Sequence, residues 1–381
     1  MEAAAPQRSA EGEGVRIVSW NVHSWSDNKF RKSFDSILQE LRGLAPDILV
    51  LNEATHPRSA AQCSQGTSPA DMRKDPKDYS SSRAIAGLYN GDSKFNSSST
   101  SQIFHYTQKQ NAEEEPAVNP RAYDTYLERI SVALDLPHWL FSEATALGNA
   151  VLSRWPLERS QALVMPCLDL GGHYHETRSC IATSISVPTK KGGAQPINLF
   201  ATHLDQRSEE ARMIQIQKCF QFINSFQSSS ASNSVSLLVG DLNAFTKEDC
   251  SEAHWSAIVH HFNTHGWTLP EDRVIPFIKS QGFVDCFSSS PSCASSSASS
   301  KQSVAGDDFD DGEEQDEEKS MAMSEVDKAK CSVWTGRPLL RIDHAFASNN
   351  AHERLVIRSC EVVQSCVASD HYPLLLRLKQ N

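Results

Sequence analysis

The sequence predicts an α+β fold in which two mixed β-sheets pack face to face with helices outside them. Three observations carry this expectation. Ten or eleven short strand-like runs can be counted along the 381 residues; amphipathic helical segments are few; and strands and helices do not alternate regularly, as a single parallel sheet would require. Hydrophobic residues make up 39% of the chain, enough for a large core, so residues 15–381 are read as one domain.

The first fourteen residues, MEAAAPQRSAEGEG, read as a disordered tail without an apolar signal region. Val15 to Ser19 is a strand that closes on Trp20 and Asn21. Phe30, Phe34, Ile37, Leu38 and Leu41 recur at helical spacing, and Gly43 and Pro46 end that helix. The run DILVL, Asp47 to Leu51, is a buried strand that delivers Glu53 just past its end. Residues 56–120 are rich in Ser, Asn, Gln and charge without a sustained period, and are expected to be an insertion, largely loop or disordered.

A helix resumes at Arg121, with Tyr123, Leu127, Ile130 and Leu134 on one face, and ends before Pro137. Four strand-like runs follow, at 139–142, 149–153, 162–166 and 178–187. Ile197 to Ala201 is a buried strand running into Thr202-His203-Leu204-Asp205; Ser208 then opens a helix whose packing stripe is Met213, Ile216, Phe220 and Ile223. In SLLVGDLN, Ser236 to Asn243, an apolar run is broken by Gly240 and places Asp241 and Asn243 at the strand's mouth, where side chains two apart point the same way. Residues 288–330 form a serine-rich and then acidic insertion, after which strands return at 339–346, 355–363 and 373–378.

Charge and cysteine content narrow the function. Of the formal charge of −11, nine acidic residues fall between Gly306 and Glu318 with no basic one, so the rest of the chain carries −2. That argues against strong non-specific binding of polyanions and leaves room for a local basic cleft. Asp307, Asp311, Gly312 and Glu318 match part of a calcium loop, but Phe309 stands where an oxygen ligand belongs, and acidic composition accounts for the match. Ten cysteines without a CxxC pair or zinc spacing read as reduced thiols, several of them buried. With no apolar run long enough to span a bilayer, the expected protein is intracellular, cytoplasmic or nuclear.

Six strand ends carry polar residues: Asn21, Glu53, His203, Asp241 with Asn243, Asp343 with His344, and Asp370 with His371. One such placement is turn chemistry; six bring together the carboxylates, amides and imidazoles that metal-assisted phosphate chemistry uses. The segments SWNVHSW, LVLNEAT, GNAVLSRWPL, ETRSC, FATHLD, VGDLNAF, RIDHAFAS and ASDHYPLLL, in that order, resemble the motifs of the endonuclease/exonuclease/phosphatase superfamily, the DNase I-like fold.

The resemblance implies a four-layer α/β/β/α sandwich of two mixed β-sheets. It further implies a Mg²⁺ ion, replaceable by Mn²⁺, held chiefly by Glu53 with Asn21 and Asp370. Asp241 would orient or deprotonate the attacking water, and Asn243 would hold a phosphate oxygen. Asp343 would keep His371 in one tautomer, and His203 would hydrogen-bond the phosphate or protonate the leaving oxygen. Arg178 reads either as a phosphate contact or as a surface partner of Glu176, and Asp205 as support for the helix that follows it. His344 should point away from the cleft if Asp343 faces it.

His23 stands where abasic-site endonucleases carry an acidic residue, and RIDHAFAS lacks the Trp and Cys of inositol-phosphate phosphatases. The implied activity is therefore broad: hydrolysis of a phosphate-ester substrate, a phosphodiester such as nucleic acid first, a lipid or inositol monoester second. A catalytically silent binding module that uses its acidic insert is the reading from another class.

Overall fold

Period-two alternation sorts the strand residues onto two faces, and the two faces enter different cores. In β1 (Val15–Asn21), Val15 and Ile17 face inward between the sheets, whereas Val18 and Trp20 face outward under helices. In β2 (Ile48–Thr55) the same division puts Ile48 and Val50 inside and Leu49 and Leu51 outside. Each such fully buried side chain contributes about 1.5–3 kcal/mol relative to exposure. The computed structural model describes residues 14–55, 103–107, 125–144, 147–170, 173–189, 192–231, 233–264, 271–287, 324–336, 338–351 and 355–380.

The first sheet has the order β14-β15-β1-β2-β5-β4-β3, in which β1 and β2 are parallel and the other pairs antiparallel. Its further strands are β3 (Ile103–Thr107), β4 (His138–Glu143), β5 (Leu147–Ser153), β14 (Leu355–Val362) and β15 (Leu374–Gln380). The second sheet has the order β12-β13-β11-β10-β9-β6, with β10 and β11 parallel. It comprises β6 (Leu157–Met165), β9 (Arg178–Thr189), β10 (Gly193–His203), β11 (Val235–Asp241), β12 (Phe283–Asp285) and β13 (Asp343–Ser348). A short hairpin of β7 (Leu168–Leu170) and β8 (His173–His175) stands apart.

Helices cover both outer faces. On the first sheet, α1 (Phe34–Leu44) and α2 (Tyr126–Leu134) bury Ile37, Leu41, Leu127 and Ile130 against Trp20, Leu49 and Leu51. On the second, α3 (Glu209–Ser228) and α5 (Val274–Ser280) pack Ile216, Phe220, Ile223 and Ile278 against Phe200, Leu238 and Phe346. The result is the α/β/β/α sandwich. Beside it, α4 (Glu252–Thr264) closes a smaller cluster with Val333, Leu340 and Ile342. No helix among the described residues is long and apolar enough to cross a membrane.

Several boundaries differ from the sequence reading. Phe30 is not on the α1 stripe: Asp27 accepts hydrogen bonds from Lys29 N and Arg31 N, ties the chain into a turn, and leaves Phe30 57% exposed at φ +58°. Helix α1 runs through Gly43 and stops at Ala45, which takes the left-handed conformation. Gly240 does not break its strand. It continues β11 at φ +142°, where a Cβ would lie 2.0 Å from Thr202 O.

The span 56–120, expected to be largely loop, supplies β3 at the edge of the first sheet. Helix α6 (Glu325–Lys330) lies inside the second expected insertion, yet its buried Asp327 accepts from Ser251 Oγ at 2.7 Å and Ser324 Oγ at 2.8 Å. The N-terminal tail, Tyr123 and the acidic run with its calcium-like pattern lie outside the described residues.

Candidate active site

Strand direction and register bring the polar strand ends to one end of the sandwich. The parallel pair β10 and β11 sets His203 opposite Asp241, and the antiparallel pair β11 and β13 sets Asp241 opposite Asp343. Three candidate side chains thus stand side by side across three adjacent strands. From the first sheet, β1 contributes Asn21, β2 contributes Glu53, and the turn before β15 contributes Asp370 and His371.

Glu53 owes its position to an irregularity. The register of β2 against β5 shifts between Leu51 and Ala54, and Glu53 has φ +53°. This bulge turns the carboxylate towards the second sheet, a use of bulges common beside functional sites. Asn243 likewise is not on an extended segment; it sits at φ +47°, and its N–H donates to Asp241 Oδ1 at 2.9 Å. Its side chain reaches the site through this left-handed turn rather than through strand alternation.

The two imidazoles have opposite surroundings. His371 Nδ1 lies 2.8 Å from Asp343 Oδ2, and its Nε2 lies 3.8 Å from Asp241 Oδ2. Burial alone would lower the His371 pKa, but the carboxylates of Asp343 and Asp241 outweigh it and raise it well above the ordinary value. His203 is driven the other way, well below its ordinary value, by burial and by the charges of Arg178 and His371. Arg178 Nη1 lies 3.2 Å from His203 Nδ1 and Asn243 Nδ2 lies 3.1 Å from its Nε2; guanidinium and amide N–H groups can only donate, so both ring nitrogens face donors. That Nε2 is 3.5 Å from Asp241 Oδ2, 3.1 Å from Asn243 Nδ2 and 4.0 Å from Glu53 Oε1.

Asp241 is fully buried, and desolvation together with the nearby Asp343 charge pushes its pKa up to about 7, against the lowering effect of His371 and two N–H donors. Of the two parts left open for Arg178 by the sequence, the pairing with Glu176 is the one seen. Besides backing His203 it donates to Gln206 Oε1 at 2.9 Å and pairs with the half-exposed Glu176 at 3.4 Å. His344 points away as expected, with Nε2 2.8 Å from Ala244 O. Asp205 supports α3 by accepting from Arg207 N and Ser208 N, and it also holds His175 Nδ1 at 3.1 Å.

Two sets of groups could hold a cation. Asp241, Asp343 and His371 each offer one ligand atom, all within 4.8 Å of one another, but all three are buried and His371 is already bound to Asp343. Glu53 and Asp370 instead line the cavity with side chains 20% and 19% exposed. Carboxylate oxygens with room for waters suit a hard divalent ion, so this second set fits one better. Asn21, grouped with them by the resemblance, is almost fully buried; its Oδ1 accepts from His23 N while Nδ2 donates to Glu53 Oε1 and Asp241 Oδ2. In this arrangement its Nδ2 fixes the two carboxylates.

Sequence reasoning missed the clamp beneath the site. Asn52 Nδ2 donates to Asn149 Oδ1 and Thr202 O, and Asn52 Oδ1 accepts from Asp241 N; Asn149 Nδ2 continues to Ser179. This buried chain joins the two sheets behind Asp241. The signal was present, as a carboxamide inside each of two apolar strands, LVLNEA and LGNAVL. The cavity above measures about 990 Å³. Its lining mixes Arg178, Arg207 and Arg212 with Glu176, Glu209, Glu210 and Glu271, and includes an apolar cluster of Phe245, Phe262, Val333, Trp334, Leu340 and Ile342.

The family model described as "Endonuclease/Exonuclease/phosphatase family" matches residues 18–371. Among solved structures, the chain is similar to an endonuclease/exonuclease/phosphatase from Beutenbergia cavernae, with 16% identity and a TM-score of 0.51 over 97% of this chain and 72% of that one. It is also similar to an endonuclease/exonuclease/phosphatase family protein from Bacteroides thetaiotaomicron, with 10% identity and a TM-score of 0.51 over 96% and 94%. At such identities the likeness concerns the fold. The search of curated proteins found no match.

Proposed function

The chain belongs to the endonuclease/exonuclease/phosphatase family, and from that premise we propose that it is a Mg²⁺-dependent hydrolase of phosphodiesters. The observation that carries this reading is the convergence of Glu53, Asp370, His203, Asp241, Asn243 and His371 on one cavity, with Asp343 behind His371.

Glu53 and Asp370 would hold the ion, which supplies charge neutralisation at the phosphate oxygens when bound. Asp241 takes the proton of the attacking water; burial and the nearby Asp343 charge make its carboxylate more basic than an ordinary one. His371, kept charged by Asp343, places a cation against the negative charge that develops on phosphorus-bound oxygen. His203, whose pKa is lowered by burial and by the charges of Arg178 and His371, is neutral and contacts the phosphate rather than protonating the leaving oxygen. Asn243 orients the same phosphate, and Arg178 keeps the His203 ring in place.

A diester is favoured over a monoester because the cavity of about 990 Å³ includes, besides the catalytic groups, the apolar cluster of Phe245, Phe262 and Trp334, which can take a second substituent on the phosphate. The test is hydrolysis of bis(p-nitrophenyl) phosphate against p-nitrophenyl phosphate, with single-stranded DNA, RNA, inositol phosphates and phospholipid headgroups in the same magnesium series. Faster turnover of the monoesters would reverse the assignment, and absence of magnesium-dependent hydrolysis across the whole panel would leave the binding-module reading.

A further inference from the structure

His23 lines the catalytic cavity beside Asp370, and no step of the proposed hydrolysis uses it. Its Nδ1 is buried without a hydrogen-bond partner; Asp370 Oδ1 lies 3.6 Å away, beyond hydrogen-bond range. The two side chains are 21% and 19% exposed, so the pair stands at the cavity surface with these two atoms turned towards one another. A ring nitrogen withdrawn from water and left without a hydrogen bond lacks a partner, and a cation shared with the carboxylate supplies one.

The separation fits one ion. Two donor atoms bound to the same divalent ion at ~2.1 Å each stand between about 3.0 Å apart, at a right angle, and about 4.2 Å, when opposite. His23 Nδ1 and Asp370 Oδ1, at 3.6 Å, fall inside that range. Several contacts hold the imidazole there. His23 N donates to Asn21 Oδ1 at 3.0 Å, and the ring packs against Phe30 with centroids 5.0 Å apart. The backbone of His23, Ser24 and Trp25 is left-handed, at φ +42°, +56° and +62°. Three such residues in succession, none of them glycine, persist only where the surroundings hold them. The buried Trp25 is the anchor: its N donates to Val22 O at 2.7 Å and its Nε1 to Thr55 Oγ1 at 2.8 Å, which ties the turn to the strand that carries Glu53.

We propose that His23 is a nitrogen ligand of the divalent ion, bound together with Asp370, and that it gives the site a preference for Mn²⁺ and Co²⁺ over Mg²⁺. The inference rests on the assignment of Glu53 and Asp370 as ligands of that ion. Carboxylate and water oxygens suit Mg²⁺, whereas an imidazole nitrogen strengthens binding progressively along the first transition row. One imidazole added to an oxygen set therefore raises the affinity for transition ions and does little for Mg²⁺.

The test is calorimetric titration of the metal-free full chain, without substrate, with Mn²⁺, Co²⁺ and Mg²⁺ in turn, together with electron spin-echo detection of imidazole-nitrogen coupling to the bound Mn²⁺. The wild type should show that coupling and bind Mn²⁺ at least about tenfold more tightly than Mg²⁺. His23→Asn keeps a residue that tolerates the left-handed backbone and offers an oxygen in place of the nitrogen. It should lose the coupling and weaken Mn²⁺ and Co²⁺ binding about tenfold, with Mg²⁺ affinity changed less than about threefold; His23→Ala, checked for folding by circular dichroism, should lose the coupling as well. A wild type without the coupling, or a coupling and a Mn²⁺ to Mg²⁺ ratio that persist in both variants, overturns the proposal. If Glu53→Gln and Asp370→Asn still weaken Mn²⁺ binding in that case, the ion site stands and His23 is only part of its wall. If those two substitutions leave Mn²⁺ binding unchanged, the assignment of the ion site itself is wrong and the proposal falls with it.

Discussion

Replacing Asp343 by Asn keeps the shape of a buried side chain and removes its charge, which isolates the support that His371 receives. Asp343 Oδ2 is 2.8 Å from His371 Nδ1, and together with Asp241 it holds the imidazole charged against the cost of burial. Without that charge the cationic ring loses its main partner, and an amide NH₂ facing Nδ1 would force the opposite tautomer. Groups of this kind contribute 10²- to 10⁴-fold, or about 3 to 5 kcal/mol in the barrier.

Asp343→Asn and His371→Ala should therefore each lower kcat/KM by roughly two to four orders of magnitude. Because each acts through the other, the double variant should be little worse than the worse single one. The assay is kcat/KM on the best diester of the panel for all four proteins, at a temperature where circular dichroism shows each to be folded. The register that pairs Asp343 with Asp241 is a backbone feature and should survive the Asn substitution. Losses that multiply in the double variant would mean the two residues act independently, and the pairing would be wrong.

Glu53→Gln should raise the magnesium concentration needed for half-maximal activity without changing Tm by more than a few degrees; an unchanged magnesium titration would remove Glu53 as a ligand. Asp285 accepts from the buried Arg341 at 2.6 Å, and although burial opposes ionisation, the Arg341 charge holds its pKa below 3.8. Its stabilisation is therefore complete above the unfolded value near pH 3.8 and fades as pH falls through the lower folded value, so Asp285→Ala should cost about 3 kcal/mol at pH 7, measured by urea unfolding, and less at pH 2. Gly240→Ala should cost more than about 4 kcal/mol or abolish folding, because the added Cβ meets Thr202 O at 2.0 Å in a backbone conformation that resists side chains. Deleting residues 288–323 should leave a single cooperative melt, while extending the deletion through Lys330 should lower Tm by removing the Asp327 contacts to Ser251 and Ser324.

What the sequence determined by itself was local. Alternation along DILVL and SLLVGD places Leu49 and Leu238 on one face and Val50 and Val239 on the other, and a polar residue after an apolar run must emerge at a strand end. That suffices to nominate Asn21, Glu53, His203, Asp241, Asp343 and His371, because each nomination depends only on its own strand. Which of them meet is a property of pairing and register, and these are set by contacts far apart in the chain: Asp241 lies beside His203 and Asp343 through two different ladders.

Tertiary structure also decided the features that break local rules. The bulge at Glu53 and the left-handed turn at Asn243 are conformations that the residue types do not announce, and they persist because hydrogen bonds from Asn21 and to Asp241 hold them. The Asn52 to Asn149 clamp joins segments about a hundred residues apart. Periodicity has no term for such distances, because a buried amide or hydroxyl is satisfied by whatever the packing of other elements brings to it.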